Sequence, residues 1–329
     1  MSRVHDALKK AEQLAAQSAN DGGHPSQPIE IEGVTEEISA SEVSPAPAIV
    51  STPVPVPKPV QKPTAEIIVE PQKSVTQLTG LAVELSDILG KIEEIPFNPW
   101  EDAHIIDPSR PYEVPTEEFK TLRTRLNHLQ SLQPIRSLVI TSPSPAEGKS
   151  MTAANLAIAE AQLTNNPTLI ADFDFRRPMV HQLFQIDRGP GITDFLLGKA
   201  ELSQIIRKVA GLNLYVMTAG QAVLNPLELL NLPQAKNLLK ALPQVFNWAL
   251  LDSPPLLFAA DAALLGTMTD GTVLVVRMNT TTVDSVTKAI QSVCENNILG
   301  VIVNGSSRGE TYSKYNNYYQ SYYQEETEE

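Results

Sequence analysis

Residues 136–151 read RSLVITSPSPAEGKSM, and the chain continues TAANLAIAEAQLT to Thr164. The periodicity of the sequence changes within this span. SLVIT has the length and β-branched content of a buried strand, whereas the residues after Lys149 repeat apolar side chains at helical spacing. Between them lies a turn that ends Gly148, Lys149, Ser150. A strand, a glycine-bearing turn and a helix start in that order make a cradle for phosphate. Backbone N–H groups and the helix N-terminus face the anion, the lysine reaches the outer phosphates and the serine hydroxyl ligates Mg²⁺. The stretch Ser144, Pro145, Ala146, Glu147, Gly148, Lys149, Ser150 and Met151 is therefore the expected nucleotide-binding loop. Two positions depart from the loop pattern: Pro143 stands where a glycine is expected, and Ala146 where many related loops carry one. An alanine forced to φ > 0 there costs on the order of 1 kcal/mol relative to glycine.

Outward from this stretch, short apolar runs recur: TLIADFD (168–174), LNLYVMTAG (212–220), WALLDSPP (248–255), GTVLVVRMN (271–279) and GVIVNG (300–305). Helical patterns separate them, among them NPLELLNLPQAKNLLKAL (225–242) and TVDSVTKAIQSVCENN (282–297). Buried strands alternating with helices predict an α/β fold, a mainly parallel sheet with helices on both faces. Ligands of such sheets sit beyond the carboxyl ends of the strands. Two of those ends carry carboxylates. Asp172 and Asp174 are two residues apart and point to the same side of a strand; the bland alternative is an ion pair of Asp174 with Arg176 or Arg177. Asp252 closes the apolar run WALLD, the position of a residue that holds Mg²⁺ directly or through water in nucleoside-triphosphate sites. Loop, paired aspartates and strand-end aspartate on one sheet predict a Mg²⁺–ATP site.

The rest of the chain bounds the function. Of 329 residues, 1–110 carry a net charge of −9, 111–309 are balanced, and 310–329 carry −4. No basic footprint for nucleic acid is present. The single cysteine, Cys294, excludes an intramolecular disulfide and fits a reducing compartment. The opening MSRVHDALKKAEQ lacks the apolar core of a signal peptide, and no run of about 18 apolar residues occurs, which together predict a cytoplasmic protein. Residues 1–18 read as a short amphipathic helix. Residues 19–110 read as an acidic, proline-rich linker interrupted by a helix near 75–94, with Leu78, Leu81, Leu85, Ile88, Leu89 and Ile92 at helical spacing. Docking to a partner and folding back on the main domain are both open for that helix. The main domain is expected over 111–308. The tail is expected over 309–329, and its residues 311–329, TYSKYNNYYQSYYQEETEE, hold six of the eight tyrosines, Tyr312, Tyr315, Tyr318, Tyr319, Tyr322 and Tyr323, with no Leu, Ile or Val. Disordered tails are usually poor in aromatics, so incidental low complexity explains this composition badly.

These residues resemble the bacterial tyrosine kinases (BY-kinases) of capsule and exopolysaccharide production. The resemblance runs from about residue 112 to the C-terminus. TSPSPAEGKS matches the family's Walker A loop, DFDFRRP its Walker A′ motif and LLDSPP its Walker B motif. EEFKTLRTRL looks like the family's oligomerisation helix, with Glu117, Lys120 and Arg123 as its pattern residues and Lys120 in place of an arginine. The resemblance implies a P-loop NTPase-type fold and an ATP- and Mg²⁺-dependent autokinase that phosphorylates its own C-terminal cluster, in trans within a homo-oligomer, to regulate polysaccharide polymerisation and export. Lys149 would contact the β/γ-phosphates. Ser150, Asp174 and Asp252 would hold the metal, and Asp172 would take the tyrosine proton. Arg176 would support the charged site and Asn304 would lie near the adenine. Without a spanning helix, the chain resembles the two-chain form. Its partners would be a membrane-embedded chain-length (co-polymerase) protein, which recruits it to the inner face of the plasma membrane, and a cognate tyrosine phosphatase. Two rivals stand beside this reading. A deviant-Walker partitioning-type ATPase would place its signature lysine at Ser144. A non-catalytic nucleotide-binding scaffold would leave the tail to another kinase.

Overall fold

The computed structural model describes residues 72–99, 104–109, 114–293 and 297–305, within a unit that begins at Ile67. The expected helix over 1–18, the proline-rich stretch before residue 72 and the tyrosine-rich tail lie outside the described residues.

The first half contains α1 (Gln72–Leu89), β1 (Glu94–Ile95), α2 (Val114–Leu132), β2 (Ser137–Thr141), α3 (Lys149–Ala161) and β3 (Thr168–Asp172). Three short helices follow, α4 (Val180–Leu183), α5 (Ile192–Leu196) and α6 (Leu202–Ile205), then β4 (Ile206–Val209) and β5 (Leu214–Met217). The chain ends with α7 (Pro226–Asn231), α8 (Pro233–Val245), β6 (Trp248–Asp252), α9 (Ala260–Gly266), β7 (Gly271–Arg277), α10 (Val283–Ser292) and β8 (Ile298–Asn304). One eight-stranded sheet has the order β1-β4-β5-β3-β6-β2-β7-β8. Every neighbouring pair is parallel except β4–β5.

Continuous apolar runs form the central strands because both faces are covered. In β2, Leu138 and Ile140 enter one core while Val139 enters the other. In β6, Trp248 and Leu250 face the first and Ala249 and Leu251 the second. α3 is buried at every residue but Met151, and its alanines let it lie close between the sheet and α2. Asn155 on α3 fastens the chain N-terminal to α2. Its Oδ1 accepts from the Ile106 N–H at 2.7 Å, and its Nδ2 donates to the His104 carbonyl at 3.0 Å.

The amphipathic stretch before Pro111 folds back on the domain. Leu85 is fully buried in a core shared with α8. β1 adds to the sheet beside β4, and Glu94 pairs with Lys208 at 2.7 Å. The helix occupies 72–89 rather than 75–94, turning at Gly90 and Lys91. Structure thus begins well upstream of Pro111.

A polar seam joins α2, α3 and the sheet. Arg123 Nη1 donates to the Ala159 carbonyl at 2.8 Å. Asn127 Nδ2 donates to Glu160 Oε2 at 3.0 Å while its Oδ1 accepts from Trp248 Nε1 at 3.0 Å. Asn166 Nδ2 also donates to Glu160 Oε2, at 3.1 Å.

Candidate active site

Three neighbouring strands, β3, β6 and β2, deliver the expected chemistry to one place. Asp172 and Asp252 are register partners, and Asp252 in turn pairs with Ile140, two residues before the loop that follows β2. The carboxylates and the loop are therefore set side by side by sheet hydrogen bonds.

Within the loop, Ala146 has φ 64 and Gly148 φ 92, both left-handed. The alanine is thus in the conformation that favours glycine. A Cβ at Gly148 would also displace the Asn304 side-chain amide. Ser142 Oγ donates to the Ser144 carbonyl at 2.7 Å, and the Ser144 N–H donates to Glu147 Oε2 at 3.0 Å. α3 then starts at Lys149.

The Lys149 ammonium lies 2.8 Å from Asp174 Oδ2, 3.6 Å from Asp252 Oδ1 and 3.2 Å from Ser150 Oγ. Burial alone would push its pKa down, but Asp252 and Asp174, with Asp172 behind them, hold it above the ordinary lysine value. Asp252 is fully buried, and among the described residues neither of its oxygens accepts a hydrogen bond of normal geometry. Burial pushes its carboxyl up, opposed by Lys149 and the neighbouring Ser150 hydroxyl. A buried carboxylate without hydrogen-bonded partners is an exception among folded proteins, and an incoming cation would satisfy it. Mg²⁺ keeps several waters and phosphate oxygens in its shell, so Asp252, Asp174 and the Ser150 hydroxyl are a chemically sufficient protein set. The residues present fit the ion.

Asp172 has a second occupation. Its Oδ2 accepts from the Met179 and Val180 N–H groups, both at 3.0 Å, and its Oδ1 from Asp174 N–H at 3.1 Å. It therefore anchors the start of α4 and folds the DFRRPM turn. Burial first, then Asp252, drives its carboxyl well above the usual range, with the Val180 N–H pulling the other way. Asp174 accepts from the Arg177 N–H at 2.9 Å. Among the described residues no arginine side chain pairs with it. Arg176 reaches instead to Asp261 at the start of α9, at 2.7 and 3.3 Å. Asn304 donates its amide to the Glu147 carbonyl at 3.0 Å.

The structure brings Ser144, Glu147, Gly148, Lys149, Ser150, Asp172, Asp174, Asp252 and Asn304 together. Arg176 sits on the rim, turned toward Asp261. Glu117 and Lys120 lie on α2 and pair at 2.7 Å, while Arg123 is committed to α3 within the same chain. Three neighbours escaped the sequence reading: Asp261, Arg277 and Thr281. Asp261 carries the faint signal of an acid in a helix's first turn; the other two carry none.

No family model matches the chain. It is 35% identical over 204 residues to the tyrosine-protein kinase YwqD of Bacillus subtilis (strain 168), covering 61% of this chain and 86% of that protein. Three other curated tyrosine-protein kinases, ptk, wzc and etk, are longer, and this chain spans 22–32% of their length. Among solved structures, the chimerical protein CapA2B2 superposes with a TM-score of 0.58 at 29% identity, covering 68% of this chain and 97% of that one. The kinase domain of the Escherichia coli tyrosine kinase ETK gives 0.57 at 29% identity, covering 68% and 96%.

Proposed function

The chain belongs to the bacterial tyrosine kinase family, and from that premise we propose that it transfers the γ-phosphoryl group of ATP to tyrosines of its own C-terminal cluster. The observation that carries this reading is the buried Lys149, held between Asp174 and Asp252 beside a left-handed Gly148 at the start of α3.

Phosphoryl transfer is mostly positioning and charge neutralisation. The backbone N–H groups of 146–151 and the N-terminus of α3 receive the phosphates, as in other helix-start anion sites. Lys149 exchanges its carboxylate contacts for β- and γ-phosphate oxygens. Bound Mg²⁺ would neutralise charge on those oxygens, held by Ser150, Asp174 and Asp252. Asp172 accepts the tyrosine proton through Oδ1, which carries a single backbone hydrogen bond and keeps a lone pair available. The phosphoryl group passes to the phenol oxygen and ADP leaves. Arg176 steadies the rim through Asp261.

Asn304 touches the loop, and Tyr312 follows eight residues later, a span of at most ~28 Å. The tether thus permits transfer within one chain as well as between chains. We assign transfer in trans within a homo-oligomer, with Glu117, Lys120 and Arg123 at the subunit contact, from the family resemblance. The same resemblance supports regulation of capsule or exopolysaccharide export, activation by a membrane-embedded co-polymerase and reversal by a phosphatase. No helix among the described residues is long and apolar enough to cross a membrane; the two-chain form and recruitment to the inner membrane face are assigned from the resemblance alone.

The test incubates the purified full chain with Mg²⁺–ATP, with and without a co-polymerase cytoplasmic tail, and maps phosphotyrosine by mass spectrometry. Phosphate should appear on 312–323 and vanish in Lys149→Met. Mixing Lys149→Met chains with active chains lacking the tail should label the former if transfer is in trans. ATP hydrolysis with no tyrosine labelling in either condition would refute the kinase reading and favour the partitioning-type ATPase.

A further inference from the structure

The phosphate loop holds an alanine in a conformation that L-residues avoid, so something must keep it there. Ala146 at φ 64 has its carbonyl fixed by Arg277 Nη1 at 3.0 Å. The next residue, Glu147, is buried and used three ways. Its Oε2 accepts from the Ser144 N–H, closing the loop on itself. Its Oε1 accepts from the Thr281 hydroxyl at 2.6 Å. Its carbonyl accepts from Asn304 Nδ2 at 3.0 Å. Thr281 is in turn aimed by the Arg277 N–H, which donates to Oγ1 at 2.8 Å. The hydroxyl therefore spends its one proton on Glu147 and a lone pair on Arg277. Arg277 ends β7, Asn304 ends β8 and Thr281 lies in the turn that follows β7; in the sheet order β6-β2-β7-β8 all three lie on the side of β2 away from β6 and its Asp252.

We infer that Arg277, Thr281 and Asn304 form a latch that holds the phosphate loop in its nucleotide-binding shape, compensating for the alanine at 146. They are positioning residues, acting through the backbone of 144–148. The inference rests on the proposal that this loop binds nucleotide. An unlatched alanine disfavours the left-handed well by roughly tenfold. Apparent affinity falls by the fraction of loops in the competent shape, so losing the latch should weaken binding by about that factor. A glycine adopts φ > 0 about as readily as φ < 0, so in a glycine-bearing loop the same loss should cost only about twofold. Asn304 adds a topological consequence: it directly precedes Gly305, at φ 75, and through it the tyrosine-bearing tail.

The experiment is a double-mutant cycle in the full chain, read as the Kd for Mg²⁺–ADP by calorimetry alongside the thermal midpoint. Arg277→Ala should weaken binding about tenfold in the native background and about twofold in Ala146→Gly, with the midpoint nearly unchanged in both. An arginine that merely attracted phosphate by its charge would lose the same factor in both backgrounds, which would overturn the inference. So would a Kd within twofold of wild type for Arg277→Ala in the native background. If Arg277→Ala lowers the midpoint substantially, Thr281→Val replaces it in the same cycle, removing one donor at constant shape, with the same two outcomes. Wild-type chain that binds no Mg²⁺–ADP at all would instead refute the nucleotide-site reading, and the latch with it.

Discussion

Glu160→Gln should change how the stability of the fold depends on pH, by an amount that follows from where Glu160 sits. The side chain lies in the seam between α2 and α3, fully buried, with Oε2 hydrogen-bonded by Asn127 and Asn166 and Oε1 without a partner. The charged group facing it is Arg123, from α2. Burial dominates these favourable contacts and pushes its pKa from 4.5 up to about 7. Below pH 4.5 both folded and unfolded chains carry the proton and nothing is lost. Between 4.5 and 7 the unfolded chain releases it while the folded chain keeps it, so stability falls as pH rises. Above 7 the penalty is complete, and 1.36 kcal/mol per unit makes it about 3 kcal/mol. Glutamine keeps the acceptor for Asn127 and Asn166 but never ionises. Its amide group, where Oε1 now lacks a partner, costs about 1–3 kcal/mol at every pH. The informative quantity is therefore the difference between variant and wild type. It should move in favour of the variant by about 2–3 kcal/mol between pH 5 and pH 8.5. Guanidinium unfolding followed by fluorescence suits the measurement, because Trp248 is buried and hydrogen-bonded to the same Asn127. Parallel stability profiles, constant to within ~0.5 kcal/mol over that range, would refute the assignment of an ionisation cost to Glu160.

Two other substitutions probe the frame around the site. Leu85→Ala should cost about 2–5 kcal/mol, measured as a shift of the denaturation midpoint; an unshifted midpoint would mean that α1 does not belong to the core. Gly191→Ala should cost about 3 kcal/mol, the upper end of the usual overpacking range, and lower the melting temperature, because its Cβ would collide with the Gly220 nitrogen and the Thr218 carbonyl, backbone atoms that cannot swing away. A melting temperature equal to wild type would refute that close approach.

What could be seen in the sequence was whatever burial writes as an unbroken pattern. β2, β3, β6 and β7 stand out because helices cover both sides of each, so the strings SLVIT, TLIAD, WALLD and GTVLVV each hold an apolar run with polar residues confined to the ends. β1 and β4 were invisible for the complementary reason. β1 is two residues long, and β4, IRKV, carries Arg207 and Lys208 where the sheet is only half covered. Gly148, Lys149 and Ser150, the aspartate spacing and Asp252 were legible because phosphate chemistry demands those residue types at strand ends. The conditional cost at Ala146 was legible too, and its φ meets the condition. The other roles depend on partners far along the chain. Arg176 finds Asp261 85 residues away, and Glu147 finds Thr281 134 residues away. No local pattern encodes such contacts. Asp172 shows the limit most clearly. Two carboxylates at i and i+2 announce an acidic site, but only the chain reversal through 173–180 reveals that one of them also holds three backbone N–H groups.

The pairing of Asp172, Asp252 and Ile140 across β3, β6 and β2 has a mechanical consequence. Successive residues of a strand rise about 3.3 Å and point to opposite faces, so slipping β6 by one residue would move Asp252 about that far and turn it away from Lys149 altogether. Such a slip is resisted by Trp248, Ala249, Leu250 and Leu251, each of which would leave its own core for the opposite one. The tolerance of the phosphate chemistry is thus set many ångströms from any phosphate, by the shapes of apolar side chains. Core substitutions in β6 that alter its register should therefore reach activity before they reach solubility.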